Sequence, residues 1–333
     1  MGAQLTTISD RLQIVELPHA AAQTSFADDV REGLRAPHKH LSAKYFYDDL
    51  GSVLFDAITR LPEYYLTRAE TEILRESGWE IVRELDAPLE FLELGSGSAV
   101  KTRLLIEEAL RVQGRLRYDP IDISLEALRA SAVTLVDAYP NLRIRAYAGD
   151  YFAVLASPQL RFETKVLAML MGSNIGNYEP ESARELLRLV AKALRPGDGL
   201  LLGVDLKKDR RTLELAYNDP TGVTAAFNRN MLGRINRELG GHFDLSAFTH
   251  EATYDEERGC VDSFLRADRA QDVAIDALGV SVAFESGERL HTESSYKFDE
   301  DALAKLGGAS GFRPRKRWCD RNQRFALQLF ERE

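Results

Sequence analysis

The hydrophobic positions between residues 89 and 206 come in short apolar runs separated by longer amphipathic stretches. The short runs predict β-strands, and the stretches between them predict helices of ten to fifteen residues. Strands that alternate with helices indicate an α/β fold, with a mostly parallel sheet between layers of helices. The predicted strands lie at 89–99, 115–124, 143–152, 165–178 and 197–206, and the predicted helices at 102–111, 125–139 and 180–194.

The segments before this region are predicted to be helical. Residues 24–35 have a helical pattern that starts at Thr24 or Ser25, either of which can act as an N-cap. Residues 44–76 are rich in aromatic side chains and are also helix-like. Within them, the T-x-x-E sequence at 67–70 has the spacing of a capping box, which predicts that a second helix starts there.

The pattern changes again after residue 206. A helical stretch at 224–239 is followed by three β-like runs at 247–255, 260–268 and 280–287, which we interpret as an inserted substrate domain. The last residues, 315–333, predict two strands that complete a seven-stranded sheet. The predicted organisation is therefore an N-terminal helical part at 1–68, an α/β domain at 69–206, an inserted part at 207–297 and a completion of the α/β domain at 298–333.

Composition and charge narrow the classes of function. The formal net charge is -9, whereas a protein that binds phosphate backbones usually carries the opposite balance, so we expect no nucleic-acid partner. Cys260 and Cys319 lack the C-x-x-C spacing of a zinc site, and H-E-x-x-H does not occur, so we expect no metal. No signal peptide or membrane span is predicted. Such sparse cysteine usage fits a reducing cytosol, so we expect a cytoplasmic protein. We expect a monomer, because no exposed heptad or obvious apolar patch can be read from the sequence.

The main chemical signal is the sequence E-L-G-S-G-S at residues 93–98, which follows an apolar strand and precedes a helix. Glycines at such a turn allow sharp bending and close approach of a ligand. Val100 excludes the dinucleotide pattern G-x-G-x-x-G, and no Gly-Lys-Ser/Thr ending makes a P-loop. Taken alone, the turn has two interpretations, a purely structural βα turn or motif I of a class I methyltransferase.

Two acidic residues support the second interpretation. Asp122 ends the next predicted strand, where a carboxylate can accept hydrogen bonds from both hydroxyls of a ribose. Asp150 ends the strand after that, where it can meet the amino group of adenine. Because ligands of open α/β sheets bind at the carboxyl ends of strands, the order of these features favours cofactor binding. The alternative is that each aspartate only caps the helix that follows it.

The fourth predicted strand ends in polar residues, G-S-N-I-G-N-Y at 172–178. They close an apolar run where a transferred methyl group should lie, so Asn177 is a candidate for holding a substrate amine or carboxylate. The alternative is an Asx-turn that leads into the helix at Pro180.

Several stretches together resemble the histidine Nα-methyltransferase family of the ergothioneine pathway. R-L-P-E-Y-Y-L-T-R-A-E, G-V-T-A-A-F-N-R-N and T-E-x-S-x-K-F are typical of that family rather than of methyltransferases at large. The resemblance covers nearly the whole chain, in the family's order. The matching stretches lie at 44–70, 92–105, 172–177, 200–209, 216–239 and 291–298.

The resemblance implies a Rossmann-like class I methyltransferase fold, in which 69–206 and 298–333 bind the cofactor. It also implies an added α+β substrate domain that combines the N-terminal helical part, 1–68, with the insertion at 207–297. It implies S-adenosylmethionine as cofactor, S-adenosylhomocysteine as its product, and conversion of L-histidine to its trimethylammonium betaine, hercynine, in three transfers. The implied cofactor-binding residues are Tyr47, Gly95, Ser96, Gly97, Lys101, Asp122, Asp150, Tyr151, Gly172 and Ser173. The implied substrate-binding residues are Phe55, Tyr64, Gly172, Asn177, Tyr217, Ser263, Glu293 and Ser295. Of these, Glu293 and Ser295 are implied to recognise the imidazole. Tyr64, Asn177 and Tyr217 are implied to hold the α-amino and carboxylate groups and are the catalytic candidates.

The sequence departs from the family pattern at positions expected near the substrate. Ser263 stands where the family often has methionine, and Ser294 and Tyr296 flank the recognition pair with more polar or larger side chains than usual. These differences keep open an enzyme of the same family that methylates another free amino acid. A non-catalytic cofactor-binding protein and a protein N-methyltransferase are the further alternatives.

Overall fold

The structure, a computed structural model, describes residues 4–17, 25–86 and 88–333. The chain divides into two compact units. The first unit is Met1–Ala21, Arg68–Leu206 and Phe298–Glu333, and the second unit is Ala22–Thr67 and Lys207–Lys297.

Strands and helices alternate through most of the first unit. The strands of the described residues are β1 Gln4–Ser9, β2 Leu12–Glu16, β3 Leu89–Leu94, β4 Leu116–Asp122, β5 Leu142–Ala148, β6 Lys165–Leu170, β7 Gly199–Asp205, β8 Phe248–Asp255, β9 Cys260–Ala267, β10 Gln271–Ile275, β11 Val280–Phe284, β12 Arg289–Tyr296, β13 Phe312–Cys319 and β14 Phe325–Arg332. The helices are α1 Phe26–Arg35, α2 Asp49–Ile58, α3 Leu66–Glu84, α4 Thr102–Gln113, α5 Leu125–Ala138, α6 Tyr151–Leu155, α7 Pro180–Ala193, α8 Arg210–Tyr217, α9 Val223–Leu239 and α10 Glu300–Gly308.

The first unit is built on one nine-stranded sheet, in the order β1-β2-β5-β4-β3-β6-β7-β14-β13. The neighbours from β2 to β7 are parallel, and the outer pairs β1–β2, β7–β14 and β14–β13 are antiparallel. Every residue of β3 and β7 is buried, as expected for central strands of a parallel sheet that is covered on both faces. Two of the buried residues of β3 are acidic, Glu90 and Glu93. Since β3 lies next to both β4 and β6, the ends of these three strands lie side by side at one edge of the sheet.

The two strands beyond the predicted seven come from the N-terminus. β1 and β2 form a hairpin, and β2 pairs in parallel with β5. The sequence analysis placed residues 1–68 in a helical part of the substrate domain, and this is wrong for 4–16. The reason is physical: β1 is almost wholly exposed and polar, so only the buried positions of the short β2 carry an apolar signal.

Residues near helix starts in the sequence mark the boundaries of several helices. The side chain of Ser25 accepts a hydrogen bond from the amide of Asp28 and so caps α1, as expected. Pro180 occupies the first turn of α7, where its missing N–H costs nothing. The helix predicted to start at the T-x-x-E sequence is α3, which begins at Leu66, one residue before Thr67.

The second unit has its own antiparallel sheet, in the order β12-β9-β8, and a separate β10–β11 hairpin. The three β-like runs of the insertion correspond to β8, β9 and β11, whereas β10 was not predicted. Helix α9 packs against α2 and against β8 and β9. Its apolar side chains, among them Phe227, Met231 and Ile235, are buried. In the part of the chain that the structure describes, no helix is long and apolar enough to cross a membrane.

Candidate functional site

The glycine turn after β3 has the backbone that its sequence requires. Gly95 has φ +74° and Gly97 has φ +48°, a region that favours glycine. The amide of Gly95 donates to the carbonyl oxygen of Ile121 at 2.9 Å. A Cβ at position 95 would clash with the hydroxyl of Tyr151, whereas one at position 97 would meet nothing within 4 Å. The turn is therefore packed on one side and open at Gly97.

The carboxyl group of Glu93 connects the residues just before this turn to neighbouring elements. It is buried, accepts a hydrogen bond from the Thr102 hydroxyl at 2.6 Å, and accepts a second from the Tyr118 hydroxyl. Burial raises the pKa of Glu93 to about 7. The carboxyl group joins the end of β3 to β4 and to the start of α4, so its place in the E-L-G-S-G motif is structural.

Asp122 lies at the carboxyl end of β4, beside the same turn. Its carboxylate accepts hydrogen bonds from the amide of Gly97 at 2.8 Å and from the amide of Ser124 at 3.0 Å. The cap of α5 is Ser124, not Asp122. Each carboxylate oxygen can accept more than one hydrogen bond, so Asp122 can hold the turn and still bind the hydroxyls of a ligand.

Asp150 does cap the helix that follows it. One of its oxygens accepts from the amide of Phe152 at 2.8 Å, as the capping interpretation required. The second oxygen makes no hydrogen bond among the described residues, so the capping role leaves an acceptor for a ligand. Burial, and then the charge of Asp150, raise the pKa of Tyr178 to about 12.

Exposed apolar side chains lie next to both aspartates in sequence. Ile123 is 64% exposed and Phe152 is 38% exposed. Together they offer an apolar surface near both aspartates, and a flat purine ring suits such a surface. The sequence analysis did not single out these two residues, although their position directly after Asp122 and near Asp150 was visible.

A third feature of the first unit joins three segments through Glu70. This carboxylate is 1% exposed, accepts from the amide of Gly172 at 2.8 Å, and forms an ion pair with Lys101. A Cβ at Gly203 would clash with it. The sequence analysis read Glu70 as part of a capping box and missed this contact, which links helix α3 to two implied cofactor-binding residues.

The turn after β6 is tight and polar. Ser173 has φ +60°, a strained conformation for a residue with a Cβ, and its hydroxyl accepts from the amide of Asp205 at 3.0 Å. A single 3-10 turn follows at Asn174–Asn177. The half-buried side chain of Asn177 makes none of the hydrogen bonds of an Asx-turn among the described residues, which favours a ligand role over the alternative.

The second unit brings the predicted imidazole-recognition residues onto one face of its sheet. Glu293 pairs across strands with Ser263, and Ser295 pairs with Val261. Residues directly opposite in a sheet share a face, and residues two apart on a strand do so as well. Glu293, Ser295 and Ser263 therefore lie together.

Glu293 is a half-buried carboxylate that makes no hydrogen bond or ion pair with the described residues. Burial raises its pKa to about 7, against the lowering effect of Lys297 and His291. A carboxylate held away from water without a partner is costly, and such groups are found at ligand-binding and catalytic positions. Glu293 is thus positioned to accept a hydrogen bond from a ligand.

Next to it, Tyr217, Ser295 and Lys297 form a buried polar triangle. The two hydroxyl oxygens are 2.8 Å apart, and the Lys297 ammonium donates to Tyr217 at 2.7 Å and to Ser295 at 2.9 Å. Lys297 is 3% exposed. The sequence analysis named Tyr217 and Ser295 but not Lys297, although K-F belongs to the motif that it quoted.

Four aromatic side chains complete the set in this unit. Tyr47 lies 5.4 Å from Phe55 and 5.8 Å from Phe227 between ring centroids, and Tyr64 lies 6.2 Å from Phe55. Phe227 is on α9 and was not predicted. The structure thus places Tyr47, an implied cofactor-binding residue, among the implied substrate-binding residues of the second unit.

Ser294 and Tyr296 lie on the opposite face of β12. The hydroxyl of Ser294 donates to Asp262 at 2.7 Å, and Arg258 donates to the hydroxyl of Tyr296 at 3.1 Å. Since side chains alternate along a strand, these two residues point away from Glu293 and Ser295. Of the three departures from the family pattern, only Ser263 is on the recognition face.

The implied residues fall into two sets, one in each unit. The first unit holds Gly95, Ser96, Gly97, Lys101, Asp122, Asp150, Tyr151, Gly172, Ser173 and Asn177, and the second holds Tyr47, Phe55, Tyr64, Tyr217, Ser263, Glu293 and Ser295. Over residues 4–17, 25–86 and 88–333, no group of three or more His, Cys, Asp or Glu side chains is placed to hold a metal ion.

A mostly parallel sheet with a glycine turn after β3, acids after β4 and β5, and an antiparallel β13–β14 hairpin define a class I S-adenosylmethionine-dependent methyltransferase fold. The family model described as "Histidine-specific methyltransferase, SAM-dependent" matches residues 26–332. The chain belongs to that family.

The relatives agree with this assignment. The chain is 42% identical over 310 residues to histidine N-alpha-methyltransferase of Mycolicibacterium smegmatis, covering 93% of this chain and 95% of the relative. The identity and coverage are the same for histidine N-alpha-methyltransferase of Mycobacterium tuberculosis. Ergothioneine biosynthesis protein 1 of Schizosaccharomyces pombe is 30% identical over 236 residues, which cover 68% of this chain and 30% of that longer protein.

Proposed function

We propose that the protein transfers methyl groups from S-adenosylmethionine to the α-amino nitrogen of L-histidine, three times in succession, to give hercynine, the first step towards ergothioneine. The observation that carries the choice of histidine is Glu293, a half-buried carboxylate without a partner among the described residues, on the same face as Ser295. A carboxylate that accepts an N–H beside a hydroxyl matches the two nitrogens of an imidazole ring.

The residues of the first unit fit the cofactor. The open backbone at Gly97 accepts a close ligand, Asp122 and Asp150 retain acceptor capacity for hydroxyl and amino groups, and Ile123 offers an exposed apolar surface to a purine. The cofactor supplies an electrophilic methyl group on a sulfonium. Lys101 and the Gly172–Ser173 turn complete the set of residues that would hold it.

The protein's own task is to present a neutral amine. Displacement at a methyl carbon needs the nitrogen lone pair in line with the breaking bond, so positioning and exclusion of water dominate catalysis. The hydroxyls of Tyr64 and Tyr217 and the amide of Asn177 can orient the amine and the carboxylate without adding a negative charge that would favour the protonated amine. A positive ammonium lies beside Tyr217, where it favours a bound carboxylate.

The second candidate is a methyltransferase for another free amino acid. Its one supporting observation is Ser263, a small side chain directly across from Glu293. A small residue there leaves more room beside the recognition carboxylate than the methionine common in the family. Glu293 and Ser295 themselves favour histidine, because an aromatic ring without nitrogens would leave both polar groups unpaired.

The experiment that separates these candidates is calorimetric titration of each proteinogenic amino acid into the full chain saturated with S-adenosylhomocysteine. We expect histidine to bind most tightly, and we expect Glu293→Ala to weaken histidine binding while the affinity for S-adenosylhomocysteine stays the same. Tighter binding of a different amino acid would transfer the proposal to that substrate. If no amino acid binds, the proposed substrate class is wrong.

A further inference from the structure

The ring of His250, on β8, makes two hydrogen bonds whose directions follow from the groups involved. Its Nε2 atom lies 2.7 Å from the backbone carbonyl oxygen of Tyr217, and its Nδ1 atom lies 2.9 Å from the side-chain nitrogen of Asn228. A carbonyl oxygen can only accept, so Nε2 carries a hydrogen. Burial lowers the pKa of His250 below its ordinary value of 6.5, so the ring is neutral at about pH 7 and Nδ1 accepts from Asn228.

Asn228 lies on α9 and is 2% exposed. Because its side-chain nitrogen donates to His250, its side-chain oxygen is turned away from the ring, and this buried oxygen has no hydrogen-bond partner among the described residues. A buried oxygen without a partner costs free energy. The polar contribution of Asn228 is therefore the hydrogen bond that it donates, which holds the ring of His250 in one orientation.

The end of helix α8 is joined to β8 at two neighbouring positions. Tyr217 is the last residue of α8, and the last carbonyl groups of a helix have no partner within it. His250 supplies the partner for the carbonyl of Tyr217. The next residue, Asn218, exchanges two side-chain hydrogen bonds with the backbone of Ala252, at 2.7 and 3.0 Å. The backbone of Tyr217 is thus fixed relative to β8.

The face that carries the imidazole-recognition residues extends over three strands, in the order β12-β9-β8. On β8, Ala252 lies opposite Ser263, and His250, two residues before Ala252, has its side chain on the same side. On β12, the hydroxyl of Ser295 is 2.8 Å from that of Tyr217. Tyr217 is therefore held through its backbone at β8 and through its hydroxyl at β12, while Ser263 lies on the strand between them.

We propose that His250 is a positioning residue: by holding the backbone of Tyr217, it fixes where the Tyr217 hydroxyl lies beside the bound amino acid. This inference rests on the proposed function, in which Tyr217 orients the amine and carboxylate of the substrate, and it deepens that function. His250 acts through Tyr217 and does not itself touch the substrate. Asn228 supports the same task, since it orients the ring.

Two substitutions of His250 separate positioning from packing. His250→Leu keeps much of the side-chain volume and removes both nitrogens, whereas His250→Gln has an amide nitrogen that can take the place of Nε2. In the full chain saturated with S-adenosylhomocysteine, we expect His250→Leu to bind L-histidine about tenfold more weakly and His250→Gln to recover most of that loss. Affinity for S-adenosylhomocysteine should be unchanged in both. Equal histidine affinity of folded His250→Leu and wild type would overturn the inference.

Asn236→Ala is the matched control. Asn236, also on α9, makes side-chain hydrogen bonds with the backbone of Phe243, both at 2.9 Å, rather than with a residue next to Tyr217. We expect Asn236→Ala to lower the thermal unfolding midpoint and to leave histidine affinity unchanged. If it weakens histidine binding as much as His250→Leu does, the effect of both comes from the stability of the second unit, and His250 is not a positioning residue.

Nitrogen-15 NMR of the wild type tests the first step without relying on a folded variant. We expect a neutral His250 ring with its hydrogen on Nε2 at about pH 7.5, and the loss of its signal in His250→Gln identifies it. A ring with its hydrogen on Nδ1 could not donate to the carbonyl of Tyr217 and would overturn the inference.

A double-mutant cycle locates the effect. If His250 acts through Tyr217, His250→Leu should change histidine affinity by less than about twofold in the Tyr217→Ala background. Full additivity of the two substitutions would mean that His250 acts elsewhere and would overturn the inference. The wild-type titration separates the two levels of the account. If the wild type does not bind histidine, the proposed function and the inference fail together, whereas intact histidine binding with additive effects refutes only the role of His250.

Discussion

At the scale of single residues, the sequence indicated most of the candidate binding and catalytic side chains, but not the contacts that position them. Glu293, Ser295 and Tyr217 were named from the resemblance, and the structure places Glu293 and Ser295 on one face and Ser295 in contact with Tyr217. Lys297 and Glu70 were missed because a buried charge is recognised only when its partners distant in sequence are known, such as Tyr217 for Lys297. Side-chain alternation on β12 was predictable, yet its consequence for Ser294 needed the strand register.

Glu293 gives a prediction about stability and pH. Burial raises its pKa to about 7 in the folded protein, above about 4.3 for an unfolded glutamate. Because the pKa of Glu293 is higher in the folded than in the unfolded protein, the contribution of Glu293 to stability is fully present below the unfolded pKa. It is lost as the pH rises through about 7.

Glu293→Gln removes that loss, so we expect its free energy of unfolding at pH 8 to exceed that of wild type by about 1–2 kcal/mol after allowance for solvent access. The advantage should shrink as the pH is lowered to 5. Thermal unfolding without ligand at both pH values measures it, with the exposed Glu257→Gln as matched control. A variant that is less stable than wild type at pH 8 would show that Glu293 stabilises the fold.

Asp122 holds the glycine turn in the structure and, in our account, also binds the ribose of the cofactor. Asp122→Ala removes the acceptor for the amides of Gly97 and Ser124 and, in our account, for the cofactor ribose. We expect affinity for S-adenosylhomocysteine to fall by about 1.5–3 kcal/mol for each charge-assisted hydrogen bond lost. Calorimetry measures the change, with Asp137→Ala on the exposed side of α5 as control. Unchanged affinity would exclude Asp122 from the cofactor site.

Replacement of Ser263 tests whether the substrate is histidine or another free amino acid. Ser263→Met restores the side chain common in the family, and we expect histidine to bind more tightly, by up to about 1.4 kcal/mol, since added apolar contact fills the space beside Glu293. Titration measures the affinity, and thermal unfolding controls for overpacking at this buried position. Weaker histidine binding by a stable variant would indicate that the native substrate is another amino acid.

At the scale of secondary-structure elements, long periodic segments were predictable and short exposed ones were not. The alternation of strands and helices from β3 to β7 follows from buried apolar runs and amphipathic helices, and Ser25 and Pro180 mark two helix starts. The N-terminal hairpin and β10 were not predicted because few of their residues are buried: none in β1, three in β2 and two in β10. The T-x-x-E sequence predicted the start of α3 to within one residue.

Helix α3 provides a prediction at this scale. Through Glu70 it holds Lys101, just before α4, and the amide of Gly172, after β6. Glu70→Gln keeps an acceptor for the amide but removes the charge opposite Lys101, so we expect S-adenosylhomocysteine affinity to fall about tenfold, together with a loss of stability.

Glu72→Gln on the same helix, where Glu72 pairs with Arg321 instead, is the matched control. We expect it to leave cofactor affinity unchanged. Equal affinities for the two variants would show that α3 supports only the fold and not the cofactor-binding turns.

At the scale of the whole molecule, the chain combines a methyltransferase unit with a second unit of its own sheet and helices. The sequence analysis ended the strand–helix alternation at residue 206 and placed the insertion at 207–297, and the two units of the structure meet along the chain at Leu206 and Phe298. Most residues that the resemblance implies for the cofactor lie in the first unit, and most of those implied for the amino acid lie in the second; Tyr47, Gly172 and Asn177 are the exceptions. The chemistry assigned to the chain therefore depends on both.

Transfer of methyl groups to one nitrogen of one amino acid is the central claim. The most direct measurement is to incubate the full chain with L-histidine and S-adenosylmethionine labelled with carbon-13 in its methyl group, and to analyse the products by mass spectrometry and NMR. The account predicts products with one, two and finally three labelled methyl groups, all on the α-nitrogen, with the imidazole unmodified. Label on a ring nitrogen, label on another amino acid in a competition mixture, or absence of transfer would contradict it.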